Sequence, residues 1–350
     1  IKKLVKSLIF SNFIVDSRLK AMLIFQLLNQ YEGIAKAAFS GCSAKINKSI
    51  KTNIIEILLL IMCIPRKINF QQLGRYGDRV EQCYRQTATR EFCWLGFNMN
   101  LAARYFHQFG KGFGRLAIAI DPSYVSKAGK KTDHVGRFWS GCAAAVKHGL
   151  EILGIGLVDA DMKDCIMLRA VQTKNARELE AGNMTLPQWY LSVLSKYKDE
   201  LLKITDIMVA DAAFSTKTFA DGLKEIGFHL VSRLRNDAVL FYPYLGQRTG
   251  KRGRPKKYDG RIDFDNLDKG RMERLAIDPA DGSAYELIAW SKPLGRLIRL
   301  VIHYLPNGSH RLYFSTNTQM RGIDVYDTYR TRFQIEFCFR DGHQFTGLLD

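Results

Sequence analysis

LAIAID (116–121) is a short apolar run that ends in an acid, and DIMVAD (206–211) repeats the pattern further along the chain. Apolar runs of this length read as buried strands. Around them RFWSGCAAAV (137–146), LEILGIGLVD (150–159) and FHLVSRL (228–234) read as further strands. Helices are expected over about 186–202 and in STKTFADGLKEIG (215–227), where Ser215 is the expected N-cap. Strand, strand, strand, helix, strand, helix, strand is the order of a layered α/β sheet. Acids at the ends of such strands stand where open α/β sheets present functional groups, which singles out Asp121 and Asp211.

Outward from this core the texture changes on both sides. Residues 1–110 read as helical, with helix-length apolar patterns in LKAMLIFQLLNQY (19–31), IIEILLLIMCI (54–64) and FCWLGFNMNLAARYF (92–106). This stretch holds 16 Lys/Arg against 6 Asp/Glu, so it carries +10 of the formal +18. Arg75, Arg79, Arg85 and Arg90 cluster within it, and it is read as a helical DNA-binding region. After the α/β segment at 111–237 the helical pattern lapses. YELIAWSK (285–292), LIRLVIHYL (297–305) and RLYFSTN (311–317) look like strands, with PNGS (306–309) as a turn. Residues 238–317 are therefore expected to form a β-rich insertion, leading back to a last helix in 318–350.

That last segment, DVYDTYRTRFQIEFCFRDGHQFTGL (324–348), carries the second half of the chemistry. Tyr329, Arg332, Glu336 and His343 fall at i, i+3, i+7 and i+14, one narrow stripe if the helix is continuous. Tyr326, Phe333 and Phe337 supply an aromatic flank beside it. An acid set between cations suits a metal-and-phosphate site. Asp121, Asp211 and Glu336 are the acids expected to converge on two Mg²⁺ ions, which favour few carboxylates and bind phosphate oxygens. Two such ions, about 3.5–4 Å apart, serve in-line phosphodiester displacement.

Composition narrows the partners. A charge of +18 and a pI near 9.6 favour a polyanion over a small-molecule substrate. The longest apolar run, 57–64, is too short to span a bilayer and stops at Pro65, so no membrane is expected. Seven cysteines without a CxxC pair fit a reduced, cytoplasmic interior. No signal peptide is visible, although the sequence opens on Ile1 rather than Met. GKRGRPKKYDGR (250–261) is AT-hook-like, and Arg252 and Arg254 are candidate DNA contacts. Lys127, shortly after Asp121, is a candidate phosphate contact. Asp159, Asp161 and Asp164 read as turn or cap residues, and Trp139, Trp189 and Trp290 as core.

AIDPSYVSKAGKKT (119–132), VADAAFS (209–215) and YRTRFQIEFCFRDGHQFTGL (329–348) together resemble the DDE transposases of bacterial insertion sequences. The likeness is to the group with a Tyr-x2-Arg-x3-Glu-x6-Lys signature, met by Tyr329, Arg332 and Glu336. His343 stands at the lysine position, and histidine, unlike lysine, is largely neutral at pH 7. GRFWSGC (136–142), GLEILGIGL (149–157) and REFCWLGFN (90–98) also read like the family. The resemblance implies an RNase H-like mixed sheet flanked by helices, with Asp121, Asp211 and Glu336 as the catalytic, metal-binding triad. It implies that Tyr329, Arg332 and His343 contact DNA phosphates, and that two Mg²⁺ ions serve, with Mn²⁺ able to substitute. It implies double-stranded DNA as partner, both element terminal repeats and target, held by a homodimer in the bacterial, nucleoid-associated cytoplasm. It also implies that the first freed 3′-OH attacks the opposite strand to form a hairpin. Trp290 is the nominee for holding a flipped base. Two rivals are a nuclease with the same core and no strand transfer, and a decayed or domesticated DNA-binding protein. His343, the missing Met and a last helix that barely finishes before Asp350 motivate the second rival.

Overall fold

The structure, a computed structural model, describes residues 16–42, 47–64, 68–109, 115–129, 132–246, 256–346 and 348. It divides into a helical unit (1–112, 166–169 and 336–350) and a sheet unit (113–165 and 170–335).

In the helical unit, α1 (Asp16–Ser40), α2 (Lys48–Cys63) and α5 (Trp94–Phe109) are the long helices that the apolar spacing predicts. The short α3 (Phe70–Tyr76) and α4 (Glu81–Ala88) lie between them in sequence. Asn47 caps α2 by accepting from Ser49 N at 2.9 Å. At its other end Pro65 follows closely, where proline cannot continue a helix. Ala35, Ala38 and Phe39 of α1 pack with Ile54, Ile55 and Leu59 of α2 and Phe97 of α5. The apolar run at 57–64 is only half buried, with Met62 53% exposed, because a helix turns one stripe to its core. Two of the arginines expected to face DNA are engaged within the unit. Arg79 Nε lies 3.3 Å from Glu56, and Arg85 reaches Glu81 at 2.5 Å while its guanidinium covers the Phe70 ring.

Of the strands, β1 (Leu116–Ser126), β2 (Gly136–Ser140), β3 (Ala145–Asp159), β4 (Asp164–Gln172, of which 166–169 fall in the helical unit), β5 (Ile207–Ala210) and β6 (His229–Leu234) come first. β7 (Leu240–Pro243), β8 (Tyr258–Arg261), β9 (Glu273–Leu275), β10 (Ser283–Ser291), β11 (Arg296–Tyr304) and β12 (His310–Ser315) follow. All belong to one sheet in the order β2-β3-β1-β5-β6-β12-β11-β10-β7-β8, with β4 on β3 and β9 on β10. β1 runs antiparallel to β3 and parallel to β5, and β5 is parallel to β6. Ala117, Ile118, Ala119 and Ile120 are all buried, as an unbroken apolar run demands of a strand covered on both faces. β12 pairs antiparallel with β6, so the strands expected as an insertion extend this same sheet outward.

Several local expectations are corrected. RFWSGCAAAV is not one strand: β2 ends at Ser140, a turn occupies 141–144, and β3 begins at Ala145. Asp159 does make the expected turn, its Oδ1 accepting from Asp161 N and Met162 N, but Asp164 opens β4 instead of capping a helix. α6 (Ala176–Ala181) and α7 (Leu186–Leu201) both start with capping boxes, on Asn175 and Thr185. α8 (Lys217–Glu225) is capped by Thr216 and not Ser215, whose hydroxyl donates to the Arg233 carbonyl at 2.9 Å.

The last helical segment is also corrected. It is two helices, α9 (Gly322–Thr331) and α10 (Gln334–Phe345), so no single stripe runs from Tyr329 to His343. Neither Pro nor Gly lies between them. The chain tightens there: Arg332 N is shared between Thr328 O and Tyr329 O, each at 3.2 Å, and Ile335 N donates to Arg332 O, an i→i−3 bond of 3.2 Å.

α9 is fastened to the sheet at both ends. At its start Glu286 Oε2 accepts from Gly322 N at 2.8 Å and pairs with Arg299 at 3.1 Å, so a carboxylate from β10 caps the helix dipole. A Cβ on Gly322 would stand 2.6 Å from Glu286 Cβ. Gly322→Ala is therefore expected to cost roughly 1–3 kcal/mol despite alanine's better helix propensity, read as a lower urea midpoint at unchanged slope. Further along, Tyr326 meets Tyr313 of β12 edge-on at 5.9 Å and Tyr329 lies tilted against it at 4.9 Å, while Tyr326 meets His303 of β11 edge-on at 5.1 Å.

His303 Nε2 lies 2.8 Å from the Asp281 carbonyl, and burial depresses its pKa, helped by the charges of Arg330 and Arg311 against the pull of Asp281. A histidine whose folded pKa lies below its unfolded one adds stability that is complete above the unfolded value, about 6.5. That part is lost as pH falls through the folded value. Unfolding free energy is thus expected to decline below about pH 6.5, and His303→Gln to flatten this limb in a urea series.

Candidate active site

Strand register places the two aspartates side by side. β1 and β5 pair in parallel through Ile120↔Ala210, and Asp121 and Asp211 each follow that pair. Neighbouring strands lie about 4.8 Å apart, and side chains alternate, so both carboxylates leave the same face. Asp211 ends its strand. Asp121 does not: β1 continues to Ser126 against β3, and only the pairing with β5 stops, which opens that side of the backbone.

Their surroundings differ. Asp211 is exposed; its Oδ1 accepts from Ala212 N at 2.6 Å and its carbonyl accepts from Ser232 Oγ at 3.0 Å. Asp121 is largely covered, with Arg332 Nη1 3.6 Å from its Oδ1. Following the alternation across β6 and β12 puts Arg233 and Tyr313 on this same face, below α9. Tyr329 stands over Tyr313. Burial raises its pKa, partly offset by Arg332, while the charge of Asp211 raises it further. The phenol therefore keeps its proton and remains a donor at neutral pH.

On the opposite face lies a buried polar pair. Glu151 on β3 accepts from Tyr190 of α7 at 2.7 Å, and burial pushes its carboxyl upward against the opposing effect of that bond. Burial also raises Tyr190, with the charges of Glu151 and Asp121 acting in the same direction.

The structure brings together four of the residues singled out by sequence: Asp121, Asp211, Tyr329 and Arg332. Glu336 is exposed in the first turn of α10 and His343 lies in its last turn; from Glu336 onward the chain belongs to the helical unit. Lys127 lies six residues past Asp121, about 20 Å along an extended chain, and is exposed. Arg252 and Arg254 lie outside the described residues. Trp290 is half-buried on Tyr258 at 5.7 Å, with Lys257 over its ring. By register it sits toward the end of β10 remote from the aspartates. Arg233 was missed by sequence reasoning, although a lone arginine inside the apolar run FHLVSRL was a usable signal.

Among the described residues no group of three or more His, Cys, Asp or Glu side chains is placed to hold a metal ion. The pair Asp121 and Asp211 nonetheless fits a hard divalent ion, which takes one or two carboxylates and completes its shell with water and phosphate oxygen. Arg332 and Arg233 beside that pair supply the positive charge a phosphodiester needs.

A sequence-family model described as DDE superfamily endonuclease matches residues 55–294. The match includes β1 and β5 with both aspartates and ends before α9. No curated protein matches the chain.

Proposed function

The chain belongs to the DDE superfamily of endonucleases, and we propose that it is the transposase of an insertion sequence, cutting and rejoining DNA at the element's ends. Its mixed sheet flanked by helices is that of an RNase H-like DDE core, and endonucleases of this superfamily act on DNA with divalent metal ions. The observation that carries the reading is the paired carboxylates of Asp121 and Asp211, facing Tyr329 of α9 and the Arg332 that follows it. Together with the Tyr329, Arg332, Glu336 spacing, it supports a strand-transferring enzyme over a general nuclease.

In this reading Asp121 and Asp211, with Glu336 proposed on the signature alone, hold two Mg²⁺ ions. Such ions lower the pKa of a bound water and stabilise the leaving oxygen. Arg332 and Arg233 hold the phosphate in line, and the protonated Tyr329 donates to a phosphate oxygen. His343 is proposed to contact the same strand, and Lys127, Arg252 and Arg254 to contact DNA further out. The helical unit is proposed to dock DNA through its excess of positive charge, with the enzyme acting as a dimer on two ends in the bacterial cytoplasm. No helix among the described residues is long and apolar enough to cross a membrane.

The test is incubation with the DNA that flanks its own gene, with Mg²⁺ or Mn²⁺. Cleavage at the element boundary with hairpin or joined products is expected. Cleavage without any joined product would leave a nuclease, and binding with neither would leave a decayed element.

A further inference from the structure

The two aspartates are unequally available. Asp211 faces solvent, whereas the side chains of Asp121 and Arg332 are only 19% and 13% exposed and stand 3.6 Å apart. At that depth water screens the pair weakly, so the guanidinium neutralises much of the Asp121 charge. Arg332 sits in the tightened turn between α9 and α10, with Tyr329 beside it at 6.0 Å from guanidinium to ring centroid. Guanidinium groups bind carboxylate and phosphate with the same fork, so a phosphate at this place is a rival partner for Arg332.

We propose that in the DNA-free protein Arg332 holds Asp121 as its counter-ion and competes with divalent cations for that carboxylate, so that metal uptake is coupled to the arrival of a substrate phosphate. This rests on the reading of Asp121 and Asp211 as the metal-holding pair. A phosphate that draws Arg332 away restores the full charge of Asp121 and removes a cation from the ion's path. Both changes favour the ion. By linkage, a bound ion in turn leaves Arg332 available to phosphate. The ion is thereby kept weak until DNA is in place.

The experiment is Mn²⁺ binding to the full chain without DNA, followed by the electron paramagnetic resonance signal of free Mn²⁺, with circular dichroism to check the fold. Arg332→Gln is expected to bind Mn²⁺ about tenfold more tightly than wild type. Arg233→Gln removes a cation nearer Asp211 and Tyr329, and is expected to give a clearly smaller gain. No gain in Arg332→Gln, or an equal gain in both variants, would overturn the competition. Should Arg332→Gln fail to fold, Arg332→Lys carries the test. Its shorter side chain is expected to give a smaller gain in the same direction, and no gain there overturns the proposal equally. Asp121→Asn added to Arg332→Gln separates the two levels. Loss of the gain keeps the metal at Asp121, whereas a gain that survives removes the metal-site reading itself.

Discussion

Replacing Asp211 with asparagine is expected to lower metal-dependent DNA cleavage by on the order of 10²–10³-fold while leaving the thermal midpoint near wild type. The carboxylate is exposed, so its charge contributes little to folding. An asparagine Oδ1 can still accept from Ala212 N, which keeps the short 3₁₀ turn after β5. What is lost is one of the paired carboxylates proposed to hold the ion. Asp121→Asn is expected to lose as much activity but also stability, because it removes the carboxylate charge 3.6 Å from the Arg332 guanidinium, which is only 13% exposed. Breaking a covered pair from one side costs roughly 1–3 kcal/mol. A plasmid-nicking series beside calorimetry reads both quantities, and the contrast between the two variants separates loss of chemistry from loss of fold.

The largest stability effect is expected at Arg115. Its guanidinium reaches Asp161 at 2.6 Å, Asp324 at 3.0 Å and Asp327 at 2.7 Å, tying the start of β1 to the turn after β3 and to α9. Three carboxylates around one cation are tolerable only while the cation stays. Arg115→Ala is expected to cost about 2–3 kcal/mol, a fully buried cluster being discounted here because the side chains are partly solvated. The cost has a defined pH dependence. Bonds from Arg115 hold Asp161 below the usual carboxylate range. At Asp324 burial works the other way but is outweighed by Arg321 and Arg115. Carboxylates with depressed folded pKa values stabilise fully above the unfolded value, about 3.9, and lose that contribution as pH falls through the folded values. The difference between wild type and Arg115→Ala should therefore be full at pH 7 and shrink below about pH 4. α9 carries Tyr329 and leads into Arg332, so the variant is also expected to cleave DNA more slowly than its folded fraction explains.

Much of this was legible in the chain because the signals were local. A run of Ile, Ala and Val closed by an acid marked β1 and β5, and the parallel pairing then set Asp121 beside Asp211 without further help. The long helices showed their apolar stripes, and PNGS supplied the turn between β11 and β12, with Gly308 at φ 80°. Other features depend on partners distant in sequence. Arg115 is separated from Asp324 and Asp327 by more than two hundred residues, and nothing near any of the three announces the cluster. Short strands such as β8 and β9 exist through their neighbours, so their own residues carry little pattern. The break after α9 escaped notice because no Pro or Gly marks it. Two helices stand where one continuous helical stripe was expected.

The central claim is that Asp121 and Asp211 together seat a divalent ion, and iron-directed cleavage of the polypeptide tests it most directly. Ferrous ion bound in place of Mg²⁺, with ascorbate and peroxide, generates radicals that cut the main chain next to the ion. Cuts beside residues 121 and 211, absent from both Asp121→Asn and Asp211→Asn, are predicted. Cuts that map elsewhere and persist unchanged in both variants would contradict it.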